Sequence, residues 1–262
     1  MQLGLKDPLV WVLGSFAFAV IATNVTRLAM RTRWRGRASS PGGAWGSLKP
    51  LVWLLTALFL FLPPIAAWRA GALSPYLMGL SELNWVDTLI SSGGLALVSG
   101  GIIVFGWLIY RHRLPARPRA RLSGQPWLAP VDAALLQWHW AFYRAGAIGW
   151  LVLAAELKST GPAGFLAPFA EQPLYWGSWL GMILVAVEWG LNPFAREALI
   201  GSRHNADHAP AAELTVIRMA LAVTTTALFV VTRNFWLGLV CHVVVETAIV
   251  AFLPARDQQR LA

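Results

Sequence analysis

The sequence predicts an all-α fold: a polytopic transmembrane helical bundle of about seven spans. Three observations predict it. Seven apolar stretches follow one another along the chain, each close to the ~20 residues a helix needs to cross the hydrocarbon core. Of the 262 residues, 57% are hydrophobic and only 13% charged, roughly half the charged share of a soluble domain. The Lys and Arg residues gather in short segments between the apolar stretches, the pattern that orients membrane proteins.

The predicted spans are 9–29, 50–68, 88–110, 127–155, 174–192, 213–232 and 235–253. The first run, Leu9 to Ala29, is too long for a signal-peptide core and ends in arginines, so it reads as a span. Residues 32–48, rich in Gly, Ser and Arg, read as a loop whose charge favours anionic lipid headgroups. Pro63-Pro64 should break or kink the second span. Gly93-Gly94 and Gly100-Gly101 in the third, and Gly177-x3-Gly181 in the fifth, allow close helix packing, either within the bundle or at a dimer seam. Many of the 15 tryptophans (Trp11, Trp53, Trp68, Trp127, Trp176, Trp236) sit near span ends, where an amphipathic ring suits the headgroup layer. With no internal repeat and no second domain, residues 1–262 form a single integral membrane domain.

Charge sets the orientation. Arg27, Arg31, Arg33, Arg35, Arg37 and Lys49 flank the first loop, and Arg111, Arg113, Arg117, Arg119 and Arg121 fill the third. Arg196, Arg203, Arg256 and Arg260 bring that side to 15 of the 21 basic residues. The other side has Lys6, Arg69, Lys158 and Arg233. The N-terminus is therefore expected outside and the C-terminus in the cytoplasm, in the cytoplasmic (inner) membrane. The net charge of +9 belongs to these loops and does not indicate a nucleic-acid partner. The single cysteine, Cys241, lies in the last span, so there is no disulfide framework.

Ionisable residues inside spans are costly, and they point to function. Span four carries His139 and Arg144, span five Glu188, and span seven His242 and Glu246, four apart on one helical face. Asp132, near the start of span four, suggests a cap or interface role. Depth along the spans, at ~1.5 Å per residue, matches Arg144 with Glu246 and His139 with Glu188. Two readings follow. The residues form two buried pairs that fix helix register, or they converge on one polar site that performs hydrolysis or binds a metal through His139, Glu188 and His242. His204 and His208, four apart in the fifth loop, form a weaker metal candidate. There is no P-loop, no dinucleotide glycine fingerprint and no cysteine-based metal site.

The segment Thr232 to Glu246, with its Asn234-Phe235-Trp236 lead-in to His242, resembles the last motif of the CPBP family of intramembrane peptidases (the CAAX-protease and bacteriocin-processing group, also called Abi). His139 to Gly146 resembles the family's Glu-Glu-x-x-x-Arg motif in spacing, with Arg144 at its arginine. Ile183 to Pro193 resembles the second motif, with Glu188 where the family has histidine. The resemblance implies a membrane-embedded site at His139, Arg144, Glu188, His242 and Glu246. The motif's two glutamates are replaced by His139 and Trp140, and the family's water-activating base is one of those glutamates. His and Glu have in effect changed places.

Three functions follow as expectations. The leading one is a non-proteolytic, CPBP-like accessory or scaffold subunit of a membrane complex, in contact with membrane lipids and other integral membrane subunits and requiring no cofactor. The second is an active endopeptidase working through the exchanged pair, with zinc as a conceivable metal. The third is a subunit of a photosynthetic or respiratory complex in which His139 or His242 ligates a tetrapyrrole, a chlorophyll-type pigment or haem.

Overall fold

Apolar runs bounded by Pro and Gly become long helices because only a helix satisfies every backbone group without water. The structure, a computed structural model, describes residues 6–36, 43–81, 85–113, 128–156, 167–201 and 209–252. All its regular elements are helical: α1 (Pro8–Gly36), α2 (Gly43–Arg69), α3 (Pro75–Met78), α4 (Trp85–Arg113), α5 (Ala129–Glu156), α6 (Ala167–Ala170), α7 (Pro173–Leu191), α8 (Pro193–Gly201), α9 (Ala209–Thr232) and α10 (Phe235–Phe252). Each predicted span falls on one long helix.

Among the described residues, four stretches are long and apolar enough to cross a membrane by length and composition: Pro8–Leu28, Ile90–Arg113, Pro173–Leu191 and Ala211–Thr232. Trp53–Arg69 and Phe235–Val250 are shorter apolar helices. α5 falls outside both groups because its polar residues lower its hydropathy. It is also the helix the others surround, packing against α7, α10, α1 and α2. A helix that faces protein on most sides needs less apolar surface than one that faces lipid.

Two expectations change. Pro63-Pro64 does not break α2, which continues to Arg69; apolar helices tolerate proline where neighbouring groups compensate. The predicted loop 32–48 is shorter, since α1 extends to Gly36 and α2 begins at Gly43. The short helices α3, α6 and α8 lie between the predicted spans. Ser74 caps α3 by accepting from the Tyr76 N–H at 3.2 Å, Pro75 follows, and Gly79 ends it with φ +77°.

Both ends of the bundle are tied. At one end Arg27 of α1 pairs with Glu197 of α8, and Arg111 of α4 with Glu213 of α9 at 3.3 Å. At the other, the Phe235 N–H donates to the Gly79 carbonyl at 3.1 Å. A side chain at Gly79 would strike the Arg233 carbonyl and the Phe229 ring. In the two-residue link between α9 and α10, Arg233 takes a left-handed φ of 54°. Asn234 then caps α10, accepting from the N–H groups of Trp236 (2.8 Å) and Leu237 (3.2 Å).

The closest helix contact is between α5 and α7. A Cβ on Gly177 would lie 2.6 Å from the Ile148 Cα, and one on Gly181 2.6 Å from the Arg144 backbone. Ser178 and Val185, also buried, continue this face. Gly177-x3-Gly181 is therefore a packing seam within the bundle. Gly181→Ala should cost about 1–3 kcal/mol as an overpacked contact, read as a lower melting temperature in detergent. Gly94→Ala, where nothing lies within 4 Å, should not. An unchanged Gly181→Ala would show that α7 can move off α5 freely.

Candidate functional site

α5 presents two polar faces. Positions 139 and 143, one turn apart, face α7; positions 137, 140 and 144 face α9 and α10. On the first face, His139 Nε2 lies 3.3 Å from Glu188 Oε2, so the expected His139–Glu188 pair forms. The Tyr143 hydroxyl donates to the same oxygen at 2.5 Å. The rings of Phe59, Tyr143 and Phe142 pack around the imidazole, with centroids 5.2, 4.5 and 6.1 Å away. Asn192 ends α7 one turn beyond Glu188, its backbone N–H donating to the Glu188 carbonyl at 2.9 Å.

On the second face the expected Arg144–Glu246 pair does not form. Glu246, fully buried, is bound by Arg218 of α9 instead. The Arg218 Nε donates to both carboxylate oxygens at 3.2 and 3.1 Å, and its Nη2 also bonds Oε1. Within α10, His242 Nε2 lies 3.2 Å from Glu246 Oε2, as the four-residue spacing predicts. Arg218 Nη2 also approaches Asp132 Oδ2 at 4.0 Å, and Asp132 accepts from Trp53 Nε1 at 2.9 Å. Asp132, expected as a cap or interface residue, thus links α5 to α2 and α9. The physical reason for the correction is depth as well as rotation: Glu246 meets Arg218, whereas the Arg144 guanidinium lies over the Phe229 ring, 4.8 Å from the centroid, eleven residues and about 16 Å farther along α9. The arginine is 1% exposed, and none of its side-chain nitrogens has a hydrogen-bond partner among the described residues.

Trp140 occupies the space between the two clusters. Its ring stacks on His242 (4.7 Å, 13°) and meets Trp189 edge-on at 6.1 Å. The three residues considered for a metal, His139, Glu188 and His242, do not converge. Among the described residues, no three His, Cys, Asp or Glu side chains form a metal-ligand group. His204 and His208 lie outside the described residues. For either histidine to ligate a cofactor, Nδ1 is the nitrogen without a partner, since both Nε2 atoms meet carboxylates.

Chemically, the arrangement is two carboxylate–imidazole pairs, each held by a further donor. Tyr143 and Arg218 are the members that sequence reasoning missed. Tyr143 had a signal, being one turn from His139 on the same face. Arg218 had a weaker one, as an arginine inside a predicted span with no assigned partner. No family model, curated protein or solved structure matches the chain.

The two arginines within the bundle, Arg144 buried and Arg218 partly exposed, should respond oppositely to removal. Arg218→Met strips Glu246 of its cation and should cost roughly 3 kcal/mol. Arg144→Met removes a charge that no acceptor among the described residues engages and should be neutral or stabilising. Thermal unfolding of the two variants in one detergent tests this. A loss for Arg144→Met as large as for Arg218→Met would place an acceptor at Arg144.

Proposed function

We propose that this chain is a non-proteolytic, CPBP-like integral membrane protein acting as an accessory or scaffold subunit of a complex in the cytoplasmic membrane. One observation carries the reading: the carboxylates of the candidate site are engaged by neighbours within the bundle. Glu188 is held by Tyr143 and His139, and Glu246 by Arg218 and His242. Peptide hydrolysis in the membrane needs a base poised at a water, with space for the scissile bond. Here Trp140, at the position where the resembled motif has its second glutamate, stacks on His242 instead. The polar residues then serve to fix helix rotation and register.

Seven crossings, with the N-terminus outside, fit this reading. Their support is the 15-to-4 division of basic loop residues and the ion pairs at one end of the bundle. Arg27–Glu197 and Arg111–Glu213 join the helix ends that the charge count assigns to the cytoplasm. Broad apolar faces remain exposed on α1 (Phe18, Ile21, Val25) and α4 (Leu97, Ile102, Phe105), suited to lipid or to helices of other subunits.

Purified protein should not cleave a panel of membrane-embedded and prenylated peptides in liposomes. Turnover that disappears in both His139→Ala and Glu188→Gln would establish the exchanged pair as catalytic and reject the scaffold reading. A separate measurement concerns orientation. With Cys241→Ser as background, single cysteines are placed at Ser39, Ser123 and Ser159, all outside the described residues. Only Ser159→Cys should react with an impermeant reagent in intact cells. Reaction at position 39 or 123 would invert the topology.

A further inference from the structure

We infer that the link between α9 and α10 is a gate over Arg144, and that it opens in the folded protein to let water reach the guanidinium. The gate is independent of whether the chain hydrolyses peptides. The Phe229 ring is its moving part. The Arg144 guanidinium lies over that ring, 4.8 Å from the centroid. On the α3 side, a Cβ built on Gly79 would lie 2.7 Å from Phe229 Cε2. Phe229 is one turn before α9 ends at Thr232. Just beyond it Arg233 is exposed and Trp236 is 40% exposed. The ring, itself 2% exposed, thus separates the arginine from that end of the bundle.

The closed position leaves donors unsatisfied. None of the Arg144 side-chain nitrogens has a hydrogen-bond partner among the described residues, and neither does Asn234 Nδ2 in the link. A buried charge without an acceptor carries an uncompensated desolvation penalty, and a cation–π contact returns only a fraction of it. Arg144 cannot withdraw toward α7, because a Cβ on Gly181 would already lie 2.6 Å from its backbone. Movement therefore falls to the link. There Arg233 holds a φ of 54°, a left-handed conformation that is costly for a residue with a Cβ. Among the described residues, one hydrogen bond ties the link to the rest of the bundle, from the Phe235 N–H to the Gly79 carbonyl at 3.1 Å. Breaking it and turning the link outward moves the Phe229 ring, hydrates Arg144 and Asn234, and relaxes Arg233. Arg218 and Glu246, deeper in the same two helices, stay paired and hold the hairpin while its end moves.

The test uses full-length protein in nanodiscs of phosphatidylethanolamine and phosphatidylglycerol, where both faces meet water. Amide hydrogen exchange is followed by mass spectrometry over residues 229–237 and, for comparison, over 177–185 of the α5–α7 seam. Arg144→Met should slow exchange at 229–237 by about tenfold, a modest share of the penalty on a buried unpaired charge, and leave 177–185 unchanged. Gly79→Ala, which keeps Phe229 from seating, should speed exchange at 229–237. A second readout uses thiol chemistry in a Cys241→Ser background. Thr226→Cys lies one turn inward of Phe229, and Ser178→Cys lies in the seam; the native residues are 2% and 0% exposed. A charged, water-soluble methanethiosulfonate should modify Thr226→Cys the faster, and adding Arg144→Met should remove the difference. Exchange at 229–237 that either variant leaves unchanged, or that Arg144→Met slows equally at the seam, overturns the gate. So does a Thr226→Cys protein as protected as Ser178→Cys.

Discussion

The approach of α7 to α5 is the constraint on which the rest of the bundle depends. Between two helices in an apolar solvent there is little hydrophobic drive, so association rests on close packing and interhelical hydrogen bonds. Gly177 and Gly181 let the two backbones approach until a single added carbon would meet the opposing main chain. That proximity puts Glu188, seven residues beyond Gly181 on the same face, within reach of His139 and Tyr143. The packing therefore comes first, and the polar contact uses the geometry it creates. With larger residues at these glycines, Glu188 would be left in an apolar interior without its partners.

The second cluster is built differently. α9 and α10 are joined by only two residues, so they pack as neighbours, and Arg218 reaches Glu246 from the adjacent helix. Arg218 stands between two carboxylates, Glu246 in the interior and Asp132 near the start of α5. Asp132 in turn accepts from Trp53 of α2. One guanidinium thus couples three helices and, through Trp53, a fourth. Such a connection adds little net stability over an apolar core, but it restricts the bundle to arrangements in which every member finds its partner. Trp140 contributes in the same sense. Its ring covers His242 and abuts Trp189, so α5, α7 and α10 are held in one relative rotation.

The outer helices show the converse economy. α4 packs against α10 and α9 and leaves large apolar side chains exposed along much of its length. In water such a surface would drive aggregation; in a bilayer it is the ordinary lipid face. Against α10, the glycines of α4 divide by rotation. Gly100 is packed on Val245, whereas Gly94 and Gly101 are open. The same residue type closes one contact and leaves a cleft beside it.

The sequence by itself determined the helical class and the place of each long helix. These are one-dimensional properties: length, hydropathy and position at a fixed rise per residue. Depth also sufficed for His139 and Glu188, because the glycine seam that brings their helices together is written in the sequence. It failed for Arg144 and Glu246, whose contacts on α9, Phe229 and Arg218, lie eleven residues apart. Counting from span ends does not fix how far a helix is shifted along its neighbours or which way a side chain points around its axis, and both are set by all the neighbours at once. Only the tertiary structure decided that Arg144 lies over Phe229, that Glu246 belongs to Arg218, and that Tyr143 completes the contact to Glu188. It also decided that Pro63-Pro64 leaves α2 continuous to Arg69.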